Sequence, residues 1–288
     1  MPSEVQSAAS RLTGVPATSA HPIGGSVYEV RLENGARLIA KRYQQKNDVI
    51  AEACGLRWLA EPRAVRIPRV RGHDDGWLVT DFVTPGSPTP AAAEALGRNL
   101  AILHAAGAPA FGSPPSGGPE DATIGMARMS NVECDSWPEF YARYRIEPYL
   151  RKAVDQGKFD AAEARLLSRV IEGIEALAGP PEPPARLHGD LWSGNVHWGA
   201  DGRAWLIDPA AHGGHRETDL AMLRLFGCPN LPRIIDAYRE HSPLADGWKA
   251  RVHLHQLFPL LVHTVLFGGT YASQTVSAAQ AALAQRSV

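Results

Sequence analysis

Asp190, Asn195 and Asp208 are the residues whose types and spacing most clearly suggest chemistry. They lie in His188-Gly189-Asp190-Leu191-Trp192-Ser193-Gly194-Asn195 and in Ile207-Asp208-Pro209-Ala210. A kinase uses one aspartate to accept the proton of the attacking hydroxyl. An asparagine five residues later, and an aspartate on a following loop, hold the magnesium ions that neutralise the transferring phosphoryl group. Asp190 and Asn195 have that spacing, and Asp208 follows thirteen residues on. The spacing predicts a phosphotransferase with Asp190 as general base and Asn195 and Asp208 as magnesium ligands. Either half alone reads equally well as a turn or a strand-end cap; order and spacing together favour the catalytic reading.

Something must bring these groups together. Val196–Trp198 and Arg203–Ile207 read as short strands flanking the turn formers Gly199-Ala200-Asp201-Gly202. A hairpin there returns the chain on itself, so Asn195 and Asp208 are expected side by side at its open end. Magnesium takes a few oxygen ligands plus substrate phosphates, which suits an Asn/Asp pair.

The elements upstream supply a nucleotide side. Ser26–Leu32 alternates as a strand, Asn34-Gly35 is a hairpin signal, and Arg37–Tyr43 is the return strand. A helix is expected over Asp48–Glu61 and a further strand over Gly76–Val83. Gly24, Gly25 and Ser26, just before the first of these strands, could bring backbone amides close to phosphates, since glycine has no side chain in the way. Lys41 is placed to contact the α/β-phosphates and Glu52 to orient it. Asp81-Phe82-Val83 is the expected hinge, whose backbone pairs with adenine.

Thr84–Pro90 cannot continue a strand or a helix and reads as an interlobe linker. Beyond it helices dominate. Leu96, Leu100 and Leu103 share one face, as do Leu167, Val170, Ile171, Ile174 and Leu177. Gly112–Asp121 and Pro180–Pro184 read as loops, and Gly247–Gln285 is helical in flavour. Strands first, then helices with one embedded hairpin, predict an α+β fold in two lobes: residues 1–84 for the nucleotide, 85–288 for catalysis and the acceptor.

At 288 residues, 44% hydrophobic and 20% charged, with net charge −1, the chain has the balance of a globular protein. It has no basic excess to suggest a nucleic-acid partner. Cys54, Cys134 and Cys228 are far apart and form no C-x-x-C pair, so free thiols in a reducing cytoplasm are expected. The N-terminus lacks the apolar core of a secretory signal. The apolar stretch Leu257–Phe267 contains His263 and is too short to span a bilayer.

Leu187–Asn195 (LHGDLWSGN), Asp208-Pro209-Ala210 and His215–Met222 together resemble the fructosamine/ketosamine-3-kinase family, within the group that includes aminoglycoside phosphotransferases and choline kinases. The likeness extends to Gly24–Ser26, Glu52–Leu56, Leu225–Gly227 and Phe267–Tyr271, and so covers most of the chain. It implies a protein-kinase-like fold and ATP- and magnesium-dependent phosphorylation of the 3-hydroxyl of a ketosamine. Such adducts form when sugars glycate lysine, and the phosphorylated adduct eliminates to free the amine. Ala211-His212-Gly213-Gly214 departs from the aromatic residue common after Asp-Pro-Ala in such kinases.

Around the acceptor, Trp192 reads either as a stacking platform for the sugar or as lobe-interface filling. Glu217 and Asp219 are candidates for the substrate amine, which is cationic, or acids of a helix N-terminus. Arg216 could pair with either. His188 is expected to shape the loop, and His253, His255 and His263 to be structural.

Overall fold

The computed structural model describes residues 3–284; Gln285, at the end of the expected helical tail, lies outside them. Helix α1 (Glu4–Thr13) opens the chain. Ser3 Oγ accepts the Gln6 N–H at 3.3 Å and Gln6 Oε1 accepts that of Ser3 at 2.7 Å, a reciprocal cap. Val5, Ala8 and Ala9 then pack on a five-stranded antiparallel sheet. Its strands are β1 (Ala17–Gly24), β2 (Val27–Leu32), β3 (Arg37–Arg42), β4 (Val70–His73) and β5 (Trp77–Asp81), in the order β1-β2-β3-β5-β4. Helix α2 (Lys46–Ala60) inserts Val49, Ala53 and Leu56 against Leu78. The sequence reading lacks α1, β1 and β4. The glycine-rich segment consequently sits in a turn between two strands, not ahead of the first.

The linker is not free. Gly86 N–H donates to the Trp198 carbonyl at 2.7 Å and Ala200 N–H to that of Thr84 at 2.8 Å. A Cβ on Gly86 would lie 2.5 Å from the Gly199 carbonyl oxygen, so only glycine permits this approach. Helix α3 (Pro90–Ala105) starts at Thr89, whose hydroxyl accepts the Ala92 N–H at 3.1 Å. It buries Leu96, Leu100 and Leu103 on the expected face.

The helical lobe contains one hairpin that sequence reading treats partly as loop, β6 (Asp121–Ile124) and β7 (Ala127–Ser130). Next come α4 (Trp137–Phe140), a π-helical turn (Tyr141–Ile146), α5 (Glu147–Asp155), α6 (Ala161–Glu172) and α7 (Ile174–Leu177). Strand β8 (Ala185–Leu187) leads into the catalytic loop, and the expected hairpin follows as β9 (Val196–Trp198) and β10 (Ala204–Leu206). Strand β11 (His212–Gly214) returns beside β8. Helices α8 (Arg216–Leu225), α9 (Leu231–His241), α10 (Trp248–Phe267) and α11 (Thr270–Ala284) complete the fold.

Helix α10 tolerates an internal proline because of a distant hydroxyl. Pro259 has no N–H for the His255 carbonyl. Tyr141 Oη lies 3.0 Å from that oxygen, where it can donate, and accepts the Phe258 N–H at 3.1 Å.

Candidate active site

The catalytic loop is fixed by its own backbone. The amides of His188 and Gly189 donate to the two oxygens of Asp219 at 2.8 and 3.0 Å. His188 Nε2 donates to the Ile207 carbonyl at 2.9 Å, leaving Nδ1 to accept the Asp190 N–H at 3.3 Å. Burial lowers the His188 pKa, so a neutral ring with both nitrogens engaged is a loop former, as expected. Gly189 has φ +81°, and a Cβ there would stand 2.0 Å from the Ala210 carbonyl oxygen. Glycine is thus required between His188 and Asp190.

Asp190, Asn195 and Asp208 converge at the open end of the β9–β10 hairpin. Asn195 Nδ2 donates to the Asp190 carbonyl at 2.8 Å and to its carboxylate at 3.0 Å. This leaves Asn195 Oδ1 as the side-chain oxygen free for a cation. Asp208 occupies left-handed backbone, φ +53°, a conformation that aspartate tolerates better than most residues. Burial pushes the Asp190 carboxyl up to about 7; the Asn195 hydrogen bond opposes this, and Asp208 and Asp219 add to it.

On the sheet side, Lys41 donates to Glu52 at 2.8 Å and also to Asp208, so one ammonium joins both lobes. Burial works to lower the Lys41 pKa, but Glu52 and Asp208 outweigh it and raise the value. Tyr43, on the Lys41 face of the chain, adds a hydroxyl to Glu52. A cavity of about 240 Å³ lies beyond, lined by Val27, Ile39, Leu56, Ile207 and the three expected hinge residues, Asp81, Phe82 and Val83. The Asp81 and Phe82 amides are already engaged, by the Arg69 carbonyl at 3.0 Å and the Arg37 carbonyl at 3.3 Å. Gly24 and Gly25, both at positive φ, and Ser26 form the turn at the mouth of the cleft.

The main cleft, about 550 Å³, runs from Ser26 and Lys41 to Asp190, Trp192 and Asn195. Trp192 is 40% exposed; its ring lies over Gly194, where a Cβ would come within 2.2 Å of it. Its edge meets Phe226 at a centroid distance of 6.1 Å. Across the cleft stands the β6–β7 hairpin with Met126 at its tip.

The fructosamine kinase family model matches residues 22–285. The chain belongs to the fructosamine kinase family. A solved structure from Thermobifida fusca, named as a candidate fructosamine-3-kinase, shares 46% identity at a TM-score of 0.92, covering 98% of this chain and 99% of that one. "Probable ketoamine kinase slr1563" of Synechocystis is 36% identical over 78% of this chain and 75% of its own length. The protein-ribulosamine 3-kinase of Arabidopsis thaliana is 32% identical over 78% and 69% respectively. This member of the family is therefore a nucleotide-using kinase.

Two expected substrate contacts are misplaced. Glu217 is buried and pairs with Arg251 through both oxygens, at 3.0 and 2.6 Å. Asp219 is fully buried beneath the catalytic loop, and neither carboxylate lines the cleft. The correction has a simple cause: the first turn of α8 points into the lobe, where Arg251 of α10 and the loop amides meet it. Arg216 pairs with Glu182, at 2.6 and 2.7 Å, and with neither expected acid. His255 is buried against Glu217 and Thr218, whereas His263 joins an aromatic group with Phe226 and Tyr271. Sequence reading missed Tyr43, Met126 and Asn131 at the cleft. Alternation about Gly125 (Ala122, Ile124, Ala127 and Met129 all buried) is the signal that could have found the hairpin.

Proposed function

We propose that this kinase transfers the γ-phosphoryl group of ATP to the 3-hydroxyl of a ketosamine, with residues 1–84 serving the nucleotide and 85–288 the acceptor. The observation that carries the reading is the Asp190 carboxylate, open to the cleft and held by Asn195. In this reading Asp190 takes the hydroxyl proton as the new O–P bond forms and ADP departs. Asn195 Oδ1 and the Asp208 carboxylate are hard oxygen donors, the set magnesium takes. When bound, the ion supplies positive charge against the phosphates. Lys41, oriented by Glu52, serves the α/β-phosphates, and the Gly24–Ser26 turn covers them. Adenine fits the apolar 240 Å³ cavity, with hydrogen bonds left to the Asp81 and Val83 carbonyls and the Val83 amide. Trp192 supplies a flat apolar wall for the sugar.

The names of the relatives favour fructosamine or ribulosamine adducts as acceptors. Three free thiols suit a cytoplasmic setting, and no described helix is long and apolar enough to cross a membrane. The test is ADP release from ATP and magnesium with fructosyl-lysine, ribulosyl-lysine and kanamycin in parallel. Turnover on a ketosamine that disappears in Asp190→Asn supports the reading. Turnover on kanamycin alone replaces the substrate and keeps the chemistry.

A further inference from the structure

Arg145 is a buried cation in an unusual setting. It is 1% exposed, and its acceptors are the Ser130 carbonyl at 2.6 Å, the Tyr144 carbonyl at 3.1 Å and Asn131 Oδ1 at 2.7 Å. Among the described residues it has no carboxylate partner; instead its guanidinium lies 4.4 Å from the Phe140 ring centre and 5.3 Å from that of Phe258. Burial lowers its pKa only to about 10, so it stays charged at neutral pH. A π-helical turn, a feature frequent near functional sites, carries it there.

Its amide partner belongs to the wall of the main cleft. Asn131 directly follows β7 and lines that cleft together with Asp190, Trp192 and Met126. Its side chain is 1% exposed, and its Nδ2 has no hydrogen-bond partner. Arg145 has only donors, so the Asn131 oxygen must face it and the NH₂ must point the other way. An aspartate would satisfy a buried guanidinium more completely. The chain instead carries a neutral amide, which turns a donor end away from the cation and leaves Arg145 without a counter-ion. The adjacent charge also polarises that amide and strengthens its N–H groups as donors.

We propose that Asn131 positions the acceptor, with Nδ2 donating to a sugar oxygen in the cleft while Arg145 fixes the direction of that donation. The inference rests on the ketosamine reading above. It gives the mainly apolar acceptor wall one directional polar contact, the usual way such pockets set orientation.

Asn131→Asp tests it, since it preserves side-chain size, gives Arg145 a carboxylate and replaces the donor by an acceptor. The variant should unfold at or above the temperature of the unaltered protein. In the ADP-release assay with fructosyl-lysine, its acceptor KM should rise about tenfold or more, with the ATP KM unchanged. Arg145→Gln should raise the acceptor KM in the native background and add nothing in Asn131→Ala; if that variant does not fold, Asn131→Asp decides alone. An unchanged acceptor KM in folded Asn131→Asp overturns the inference and leaves the kinase reading intact. No turnover of any ketosamine by the unaltered protein overturns both, and the wild-type control tells the two failures apart.

Discussion

Asp190 and Asp219 flank the same loop, one facing the cleft and the other the interior of the helical lobe. Asp219 receives the His188 and Gly189 amides, and His104 Nε2 lies 3.2 Å from it. Burial alone would raise its pKa, but His104 and the other donors hold it below the ordinary value. Asp190 has one side-chain donor, Asn195, and burial leaves its carboxyl at about 7. Glu217 repeats the first pattern: despite burial, His255 and Arg251 hold it at about 2. The saturated acids hold the fold. The acid with unmet hydrogen-bonding capacity is the one with capacity left for a substrate proton.

The largest effect expected from this contrast is on turnover. Asp190→Asn should lower kcat by ~10²–10⁴-fold while ATP still binds. In the unaltered protein kcat/KM should decline as pH falls below about 7 and Asp190 becomes protonated. Near-normal turnover in the variant would remove Asp190 from the chemistry and dissolve the contrast.

Asp219→Ala should instead reduce stability by roughly 3–5 kcal/mol, because it strands two loop amides and His104 in the interior. Urea denaturation measures this, and a midpoint equal to that of the unaltered protein would show that the saturated acid is dispensable.

Glu217 provides a pH signature. Its folded pKa of about 2 lies below the ordinary value of 4.5. Its ionisation therefore contributes stability above pH 4.5, and the contribution disappears as pH falls toward 2. The difference amounts to about 3 kcal/mol. Glu217→Gln should flatten stability against pH across that window; an unaltered acid slope would mean that the Arg251 pair contributes little.

A further stability effect has the opposite sign. Asp190 has a raised folded pKa, so stability falls as pH rises from about 4 to about 7, while the unfolded chain ionises and the folded one resists. Asp190→Asn escapes that loss and should be more stable at pH 8 by up to about 4 kcal/mol, with the gain fading near pH 4. Calorimetry at the two pH values decides it, and a destabilised variant would mean that the Asp190 carboxylate also serves the fold.

Much of the cleft was legible because its geometry is local. The Asp190–Asn195 spacing, the β9–β10 turn and the alternation that carries Lys41 are short-range features, and helix α2 brings Glu52 to Lys41 as anticipated. The errors arose where long-range packing decides. Nothing in His215–Met222 reveals that the first turn of α8 faces Arg251, so Glu217 and Asp219 look like cleft acids. Asn131 is an unremarkable amide until Arg145, fourteen positions away, fixes its orientation. Other omissions were readable. Ser3 with Gln6 is a capping pattern ahead of Val5, Ala8 and Ala9, and Gly125 sits between alternating apolar residues.

The β9–β10 hairpin acts as a bar. Its strands are three residues long, about 10 Å. One end is bolted to the linker through Thr84, Pro85 and Gly86, and the other carries Asn195 and Asp208. Val196, Ala204 and Leu206 seat the bar in the core of the helical lobe, and Asn195 is tied to Asp190 by two hydrogen bonds. The interlobe linker and the two proposed cation ligands are thus opposite ends of one short, stiff element.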